Sequence, residues 1–125
     1  MNIKFLLCKH CGNMVELIKD GGPPMICCGE QITELIPNTV EASAEKHLPI
    51  ATVSGDLLTV QIGSVPHPME EKHHIEFIYV QTERGGQRKF FQVGEEPTLT
   101  FNLANDKSLA VFAYCNIHGL WKTEM

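Results

Sequence analysis

The chain has 125 residues, 43% of them apolar, and a formal charge of −5 with a pI near 5.6. That is one ordinary domain, or a small domain with a mini-domain, and it holds enough apolar residues for a packed core, which excludes a disordered chain. The acidic balance argues against nucleic-acid binding, no run approaches the roughly 18 apolar residues of a membrane span, and the start "MNIKFLLCKH" lacks the apolar region of a secretory signal, so a soluble cytoplasmic protein is expected.

Residues 1–36 carry four of the five cysteines, as "CKHC" (Cys8, Cys11) and "CC" (Cys27, Cys28), with the turn signal "DGGPP" between them. An odd cysteine count in a reducing compartment reads as metal ligation rather than a disulfide framework. A piece this short cannot build its own core, so four thiolates around one ion would organise it. Four soft sulfurs select zinc or iron, and a structural zinc knuckle stays open at this point. Two residues between Cys8 and Cys11 let both sulfurs face one ion. Adjacent Cys27 and Cys28 point to opposite sides of an extended chain, so they can share an ion only where the backbone bends.

"IPNTVEASAEKH" follows at 36–47, where Asn38 with Glu41 three later resembles a capping box and predicts one or two helical turns in a linker. From residue 48 onward short apolar runs alternate with turn signals: "LPIATVSGD", "LLTVQIG", "HIEFIYVQTERGG", "KFFQVGEEP", "TLTFNLAND", "SLAVFAYC". In "TLTFNLA", Leu99, Phe101 and Leu103 alternate with Thr98, Thr100 and Asn102, as a strand with one wet face requires. "SLAVFAYC" is apolar on both faces and reads as a central strand. About six strands in 80 residues predict a mainly β chain, with a small immunoglobulin-like β-sandwich behind the four-cysteine segment.

The six histidines are His10, His47, His67, His73, His74 and His118. None of the later ones pairs at helical i, i+4 spacing, so a shared site must be assembled from loops and strand ends. Taken singly, an exposed or hydrogen-bonded histidine is the ordinary outcome. Their settings are less ordinary: His47 lies in "EKHLP" and His67 in "VPHPM", each beside or near proline, and His118 follows Cys115 by three residues in "YCNIHGLW".

"EKHLP", "HPMEEKHH" and "CNIHGLW", in this order, resemble the superoxide reductases of the desulfoferrodoxin family, and "CKHC" with "CC" resembles the desulforedoxin-like domain of its two-iron members. The resemblance implies a desulforedoxin-like four-cysteine iron domain over 1–36, a linker and active-site loop over 37–46, and an immunoglobulin-like superoxide reductase domain over 47–125. It implies that His47, His67, His73 and His118 are equatorial nitrogen ligands of one iron and Cys115 its axial sulfur. Cys8, Cys11, Cys27 and Cys28 would hold a second iron. Lys46 would attract superoxide and help to protonate the product, and Glu45 would bind the oxidised iron once product has left. A rubredoxin-like donor and a homodimer are implied as well. His10 and His74 match no ligand position and are expected as exposed side chains.

These ligands suit the chemistry. Five protein donors disfavour zinc, which prefers four. Four neutral imidazoles and one thiolate on ferrous iron leave a formal charge of +1, which draws an anion such as superoxide to the open position. Two other readings compete: an electron carrier in which the four-cysteine iron does the work, and a zinc-stabilised adaptor without chemistry.

Overall fold

The computed structural model describes residues 3–125, and the chain divides after Ile36 into two compact units. In the first, β1 (Lys4–Leu7) is the central strand of a three-stranded antiparallel sheet, flanked by β2 (Met14–Leu17) and β5 (Thr33–Leu35). A two-stranded hairpin, β3 (Ile26–Cys27) with β4 (Glu30–Gln31), completes the unit. Its buried apolar cluster is small: Leu6, Cys8 and Ile32, with Val15, Leu17 and Cys27 packed around them.

The second unit opens with one helical turn, α1 (Ala44–His47), and continues as seven strands. β6 (Pro49–Ser54), β7 (Leu57–Ile62) and β10 (Thr98–Asn102) form one antiparallel sheet in the order β10-β7-β6. β8 (Ile75–Thr82), β9 (Gly85–Phe90), β11 (Ser108–Cys115) and β12 (Gly119–Glu124) form the other, in the order β12-β11-β8-β9. Leu58, Val60, Ile62 and Phe101 from the first sheet meet Ile75, Ile78, Val80, Val111 and Ala113 from the second in one core. This is the two-layer sandwich that the apolar runs predict. Each of the larger of these side chains, fully buried, contributes roughly 1.5–3 kcal/mol through the area it withdraws from water, and the single methyl of Ala113 less.

Strand periodicity also aims the cysteine of the second unit. Along β11, Val111, Ala113 and Cys115 alternate onto the core face, so the sulfur at the strand end points into the sandwich. The β8–β11 ladder slips where Tyr114 pairs Phe77 but Cys115 pairs Ile75. That bulge resets the parity of β8, so that Ile75 faces the core together with Ile78 and Val80, and it lies beside the site that Cys115 helps to form.

Three local expectations are corrected. Asn38 and Glu41 form no capping box: the helical turn starts at Ala44, after Ser43. Asn38 sits instead at φ +62° and pairs both ways with Lys122, donating Nδ2–H to its carbonyl at 3.0 Å and accepting its N–H at 2.8 Å. The "GG" in "ERGG" is not the turn, which is Glu83–Arg84, but the first two residues of β9. Gly86 is required there because any Cβ would collide with the Tyr79 ring and hydroxyl. His74, expected exposed, is half-buried: its Nδ1–H donates to the Glu70 carbonyl at 2.8 Å, and its backbone N–H donates to Asn116 Oδ1.

Candidate metal centres

The first cysteine pair stands on a tight loop closed by Gly12, at φ +82°, whose N–H donates to the Cys8 carbonyl at 2.9 Å. The second pair occupies the β3–β4 turn. Cys27 opposes Glu30 in register, and Cys28 and Gly29 between them both have positive φ, +52° and +77°, the signature of a type I′ turn. This is the backbone bend that adjacent thiolates need in order to face one point. A non-glycine residue is uncommon in that region, so the turn holds Cys28 in a conformation that most side chains avoid.

The four sulfurs lie within 4.8 Å of one another. Cys11 and Cys27 are 3.5 Å apart, far beyond a disulfide bond and near the roughly 3.8 Å that separates two sulfurs held tetrahedrally at about 2.3 Å from one ion. Their proton affinities spread apart. The Cys11 N–H, chiefly, lowers the Cys8 thiol to about 6, while hydrogen bonds to Cys11 and Cys8 push Cys28 up to about 12. Cys27 is raised by its sulfur neighbours, Cys8 first. One thiolate suppresses the next, which is the instability that a bound cation removes. Asn13 adds an N–H to Cys27 Sγ at 3.8 Å. His10 stays outside the sulfur group, exposed and paired with Glu30 at 3.0 Å.

In the second unit the four histidines come from three places: His47 from α1, His67 and His73 from the segment between β7 and β8, and His118 from the β11–β12 turn. Their rings form a closed cycle. Neighbouring centroids are 4.6 Å apart for His47–His67, 4.7 Å for His67–His73, 5.0 Å for His73–His118 and 4.9 Å for His118–His47, with interplanar angles of 74–87°. His47 and His73 stand 6.2 Å apart across the middle. Four rings edge-on around one axis therefore make a square. Cys115, wholly buried, brings its sulfur from the core side, 4.0 Å from His118 Nδ1. The ligand atoms of His47, His67, His73 and Cys115 all lie within 4.8 Å of one another.

Hydrogen bonds decide which nitrogens face inward. A carbonyl only accepts, so the contacts of His47 Nδ1 with the Ser43 carbonyl at 2.6 Å and of His67 Nδ1 with the Pro68 carbonyl at 2.7 Å put the proton on Nδ1. Each Nε2 is left with a free lone pair. His118 turns its Nδ1 inward instead, 3.1 Å from His47 Nε2, close to the roughly 3 Å between nitrogens bound at right angles to one ion at about 2.1 Å. His67 Nε2 and His73 Nε2 are buried with no hydrogen-bond partner. Buried polar atoms are normally satisfied, so two unsatisfied nitrogens aimed into one square fit a cation that takes their lone pairs.

The electrostatics keep these nitrogens unprotonated. Burial lowers His67 to about 4 and lowers His47 and His73 as well, with the neighbouring rings adding repulsion. Burial raises the Cys115 thiol, against the pull of the His118 and Ile117 N–H groups. The His118 N–H lies 3.4 Å from the sulfur and would stabilise it as thiolate.

Glu45 and Lys46 are exposed on α1, and the Lys46 charge reaches His47 and His73, where it disfavours their protonation. Their backbone is seated on the turn after β7. The Glu45 carbonyl accepts from the Val65 N–H at 3.1 Å and from Ser64 Oγ at 3.3 Å. Gly63, at φ +84°, is the floor of that seat, since a Cβ there would stand 2.7 Å from the Glu45 carbonyl oxygen and 2.8 Å from Lys46 Cα. Two functional neighbours escaped sequence reasoning: Gly63, whose only signal was a glycine ending an apolar run, and Trp121, which stacks on the His47 ring.

Residues 39–124 match the sequence profile of the family described as Desulfoferrodoxin, and residues 4–35 match that of the desulfoferrodoxin N-terminal domain. A desulfoferrodoxin of Syntrophotalea carbinolica is 41% identical over 117 residues, covering 94% of this chain and 92% of that one. A superoxide reductase of Pyrococcus horikoshii is 34% identical over 99 residues, covering 65% of this chain and 86% of its own. Among solved structures, the superoxide reductase from Treponema pallidum superposes with a TM-score of 0.83 at 32% identity, over 99% of this chain and 100% of that one.

Proposed function

The chain belongs to the desulfoferrodoxin family, and from that premise we propose that it is a superoxide reductase with two iron ions per chain: superoxide takes up one electron and two protons and leaves as hydrogen peroxide. The observation that carries this reading is the square of four imidazoles over one buried thiol, with two inward nitrogens left unsatisfied. His47, His67 and His73 would hold one iron through Nε2, His118 through Nδ1 and Cys115 through Sγ. Cys8, Cys11, Cys27 and Cys28 would hold the other.

When bound, the iron of the square supplies the electron that reduces superoxide. The protein supplies the rest. The carbonyls of Ser43 and Pro68 fix the tautomers of His47 and His67, as the second shell of metal-bound histidines commonly does. The Lys46 ammonium, beside the ring square, lowers the energy of an arriving anion and offers a proton at Nζ. The Glu45 carboxylate, one position earlier on the same turn, would be the candidate oxygen donor to the iron in its oxidised state. No helix among the described residues is long and apolar enough to cross a membrane. The finer attributes of the reading are a cytoplasmic location, a rubredoxin-like electron donor and a homodimeric state.

The test is iron quantitation with absorption spectra of reduced and oxidised protein, before and after Cys115→Ser, joined to peroxide and dioxygen measurement during superoxide exposure. Peroxide without dioxygen, and loss of the thiolate charge-transfer band in the variant, are expected. A five-donor site whose spectrum superoxide leaves unchanged would return the protein to a carrier of electrons through its four-cysteine iron.

A further inference from the structure

Trp121 is the only tryptophan of the chain, and it touches two of the four residues that form the ring square. Its indole lies against the His47 imidazole with centroids 4.9 Å apart and planes 24° from parallel. Its Nε1–H donates to the backbone carbonyl of His118 at 3.1 Å. The side chain is 4% exposed, so the indole N–H must find an acceptor inside the protein, and the acceptor it finds belongs to a ring-bearing residue. The strands place it there: Trp121 stands on β12 opposite the small Ala113, three residues after His118. His47 arrives from α1, more than 70 residues away in sequence.

We propose that Trp121 is a positioning residue of the five-donor centre. Stacking fixes the plane of the His47 imidazole, and the indole N–H anchors the turn that carries His118. Together they hold His47 Nε2 and His118 Nδ1 at their 3.1 Å separation. His47 is also held by the bond from Nδ1 to the Ser43 carbonyl, about which the ring can still pivot. The indole face removes that freedom. His118 sits at the tip of the hairpin turn closed by Gly119, and the indole N–H ties that tip back to β12. The inference rests on the iron centre proposed above.

The two contacts separate by substitution: Trp121→Phe keeps an aromatic face but loses the N–H, and Trp121→Leu loses both. Full-length, iron-loaded wild type and both variants are compared by the oxidised-state thiolate charge-transfer band, the paramagnetic resonance of the ferric site, the half-time of iron release to a chelator, and the melting temperature. Partners that orient metal-bound histidines typically matter by about 10–100-fold, so Trp121→Leu should release iron from this site at least ten times faster, with an altered resonance. Trp121→Phe should fall between it and wild type. A purely packing role would lower the melting temperature and leave band position, resonance and release unchanged. That result in both variants, or in Trp121→Phe alone should Trp121→Leu not accumulate, overturns the proposal. Wild-type iron protein that superoxide fails to oxidise would overturn the functional reading instead, and leaves the spectroscopic comparison standing.

Discussion

Two centres in one chain are built by opposite routes. The first 36 residues hold short strands and an apolar cluster of three buried residues, one of them a candidate ligand, Cys8. There the ion would be the core. The second unit has a two-sheet core of its own, and its site borrows one residue from that core, Cys115, and four rings from α1 and the loops around it. A metal that organises a fold and a metal placed on a finished fold carry different energetic weight, and only the second leaves its scaffold free to tune chemistry.

Metal removal should give the largest contrast. Chelation under reducing conditions should abolish amide protection in β1–β5 while β6–β12 keep theirs, read by hydrogen exchange. Cys11→Ser should act in the same direction locally, erasing the four-sulfur spectrum and leaving superoxide oxidation of the other site nearly intact. Equal loss of protection in both units would mean that the sandwich, too, depends on its ion.

Acidity separates the routes next. In the metal-free sandwich, His67 has its folded value lowered to about 4 from 6.5, and His47 and His73 move the same way. Between these values the unfolded chain binds protons that the folded chain refuses, so stability is full above about pH 6.5 and falls as pH drops towards 4. Cys115 has the opposite sense: its raised thiol contributes stability that is full below 9.0 and is lost as pH rises beyond it. Melting temperatures of the metal-free protein should therefore peak between the two. A melting temperature that climbs on acidification from pH 6.5 to 4 would contradict the burial of neutral imidazoles.

How far the sequence carried each unit follows from the range of the forces involved. The alternation in "TLTFNLA" encodes a strand directly, because the period of a pleated strand is local: Phe101 is fully buried and Thr100 exposed. The bend at Cys28 was legible for the same reason, since two adjacent ligands constrain one dihedral. Asn38 was not, because its partner Lys122 lies 84 residues away and turned a capping signal into a cross-chain clasp. Nor was the place of Gly86, which answers to Tyr79 on the neighbouring strand. The candidate site residues stood out in the sequence as a pattern of motifs. The closed order of the rings, the inward nitrogen of each, and the seat that Gly63 gives to Glu45 and Lys46 depend on tertiary packing.

The rim of the sandwich site should respond more gently than its donors. Lys46→Ile removes one positive charge beside the rings and should slow the bimolecular reaction with superoxide several-fold at low salt, with a weaker dependence on ionic strength. The absorption of the oxidised site should not move. An unchanged rate at low salt would return Lys46 to the status of an ordinary surface charge.

Glu45→Ala should give the smallest kinetic effect and the most selective one. Glu45 is exposed and its backbone carbonyl, not its carboxylate, accepts from Val65 and Ser64, so truncation should not disturb the seat of α1. Four neutral imidazoles and one thiolate leave a formal charge of +2 on oxidised iron and +1 on reduced iron, and the attraction for a carboxylate scales with that charge. Glu45 should therefore contribute to the oxidised form and be absent from the reduced one. The reduced spectrum and the superoxide rate should match wild type, while the oxidised charge-transfer band and its pH dependence should shift. Lys46→Ile makes the opposite pair of changes, so the two neighbours on one helical turn can be assigned separately by the same two measurements. Identical oxidised spectra for wild type and Glu45→Ala across a pH titration would show that the carboxylate never reaches the iron.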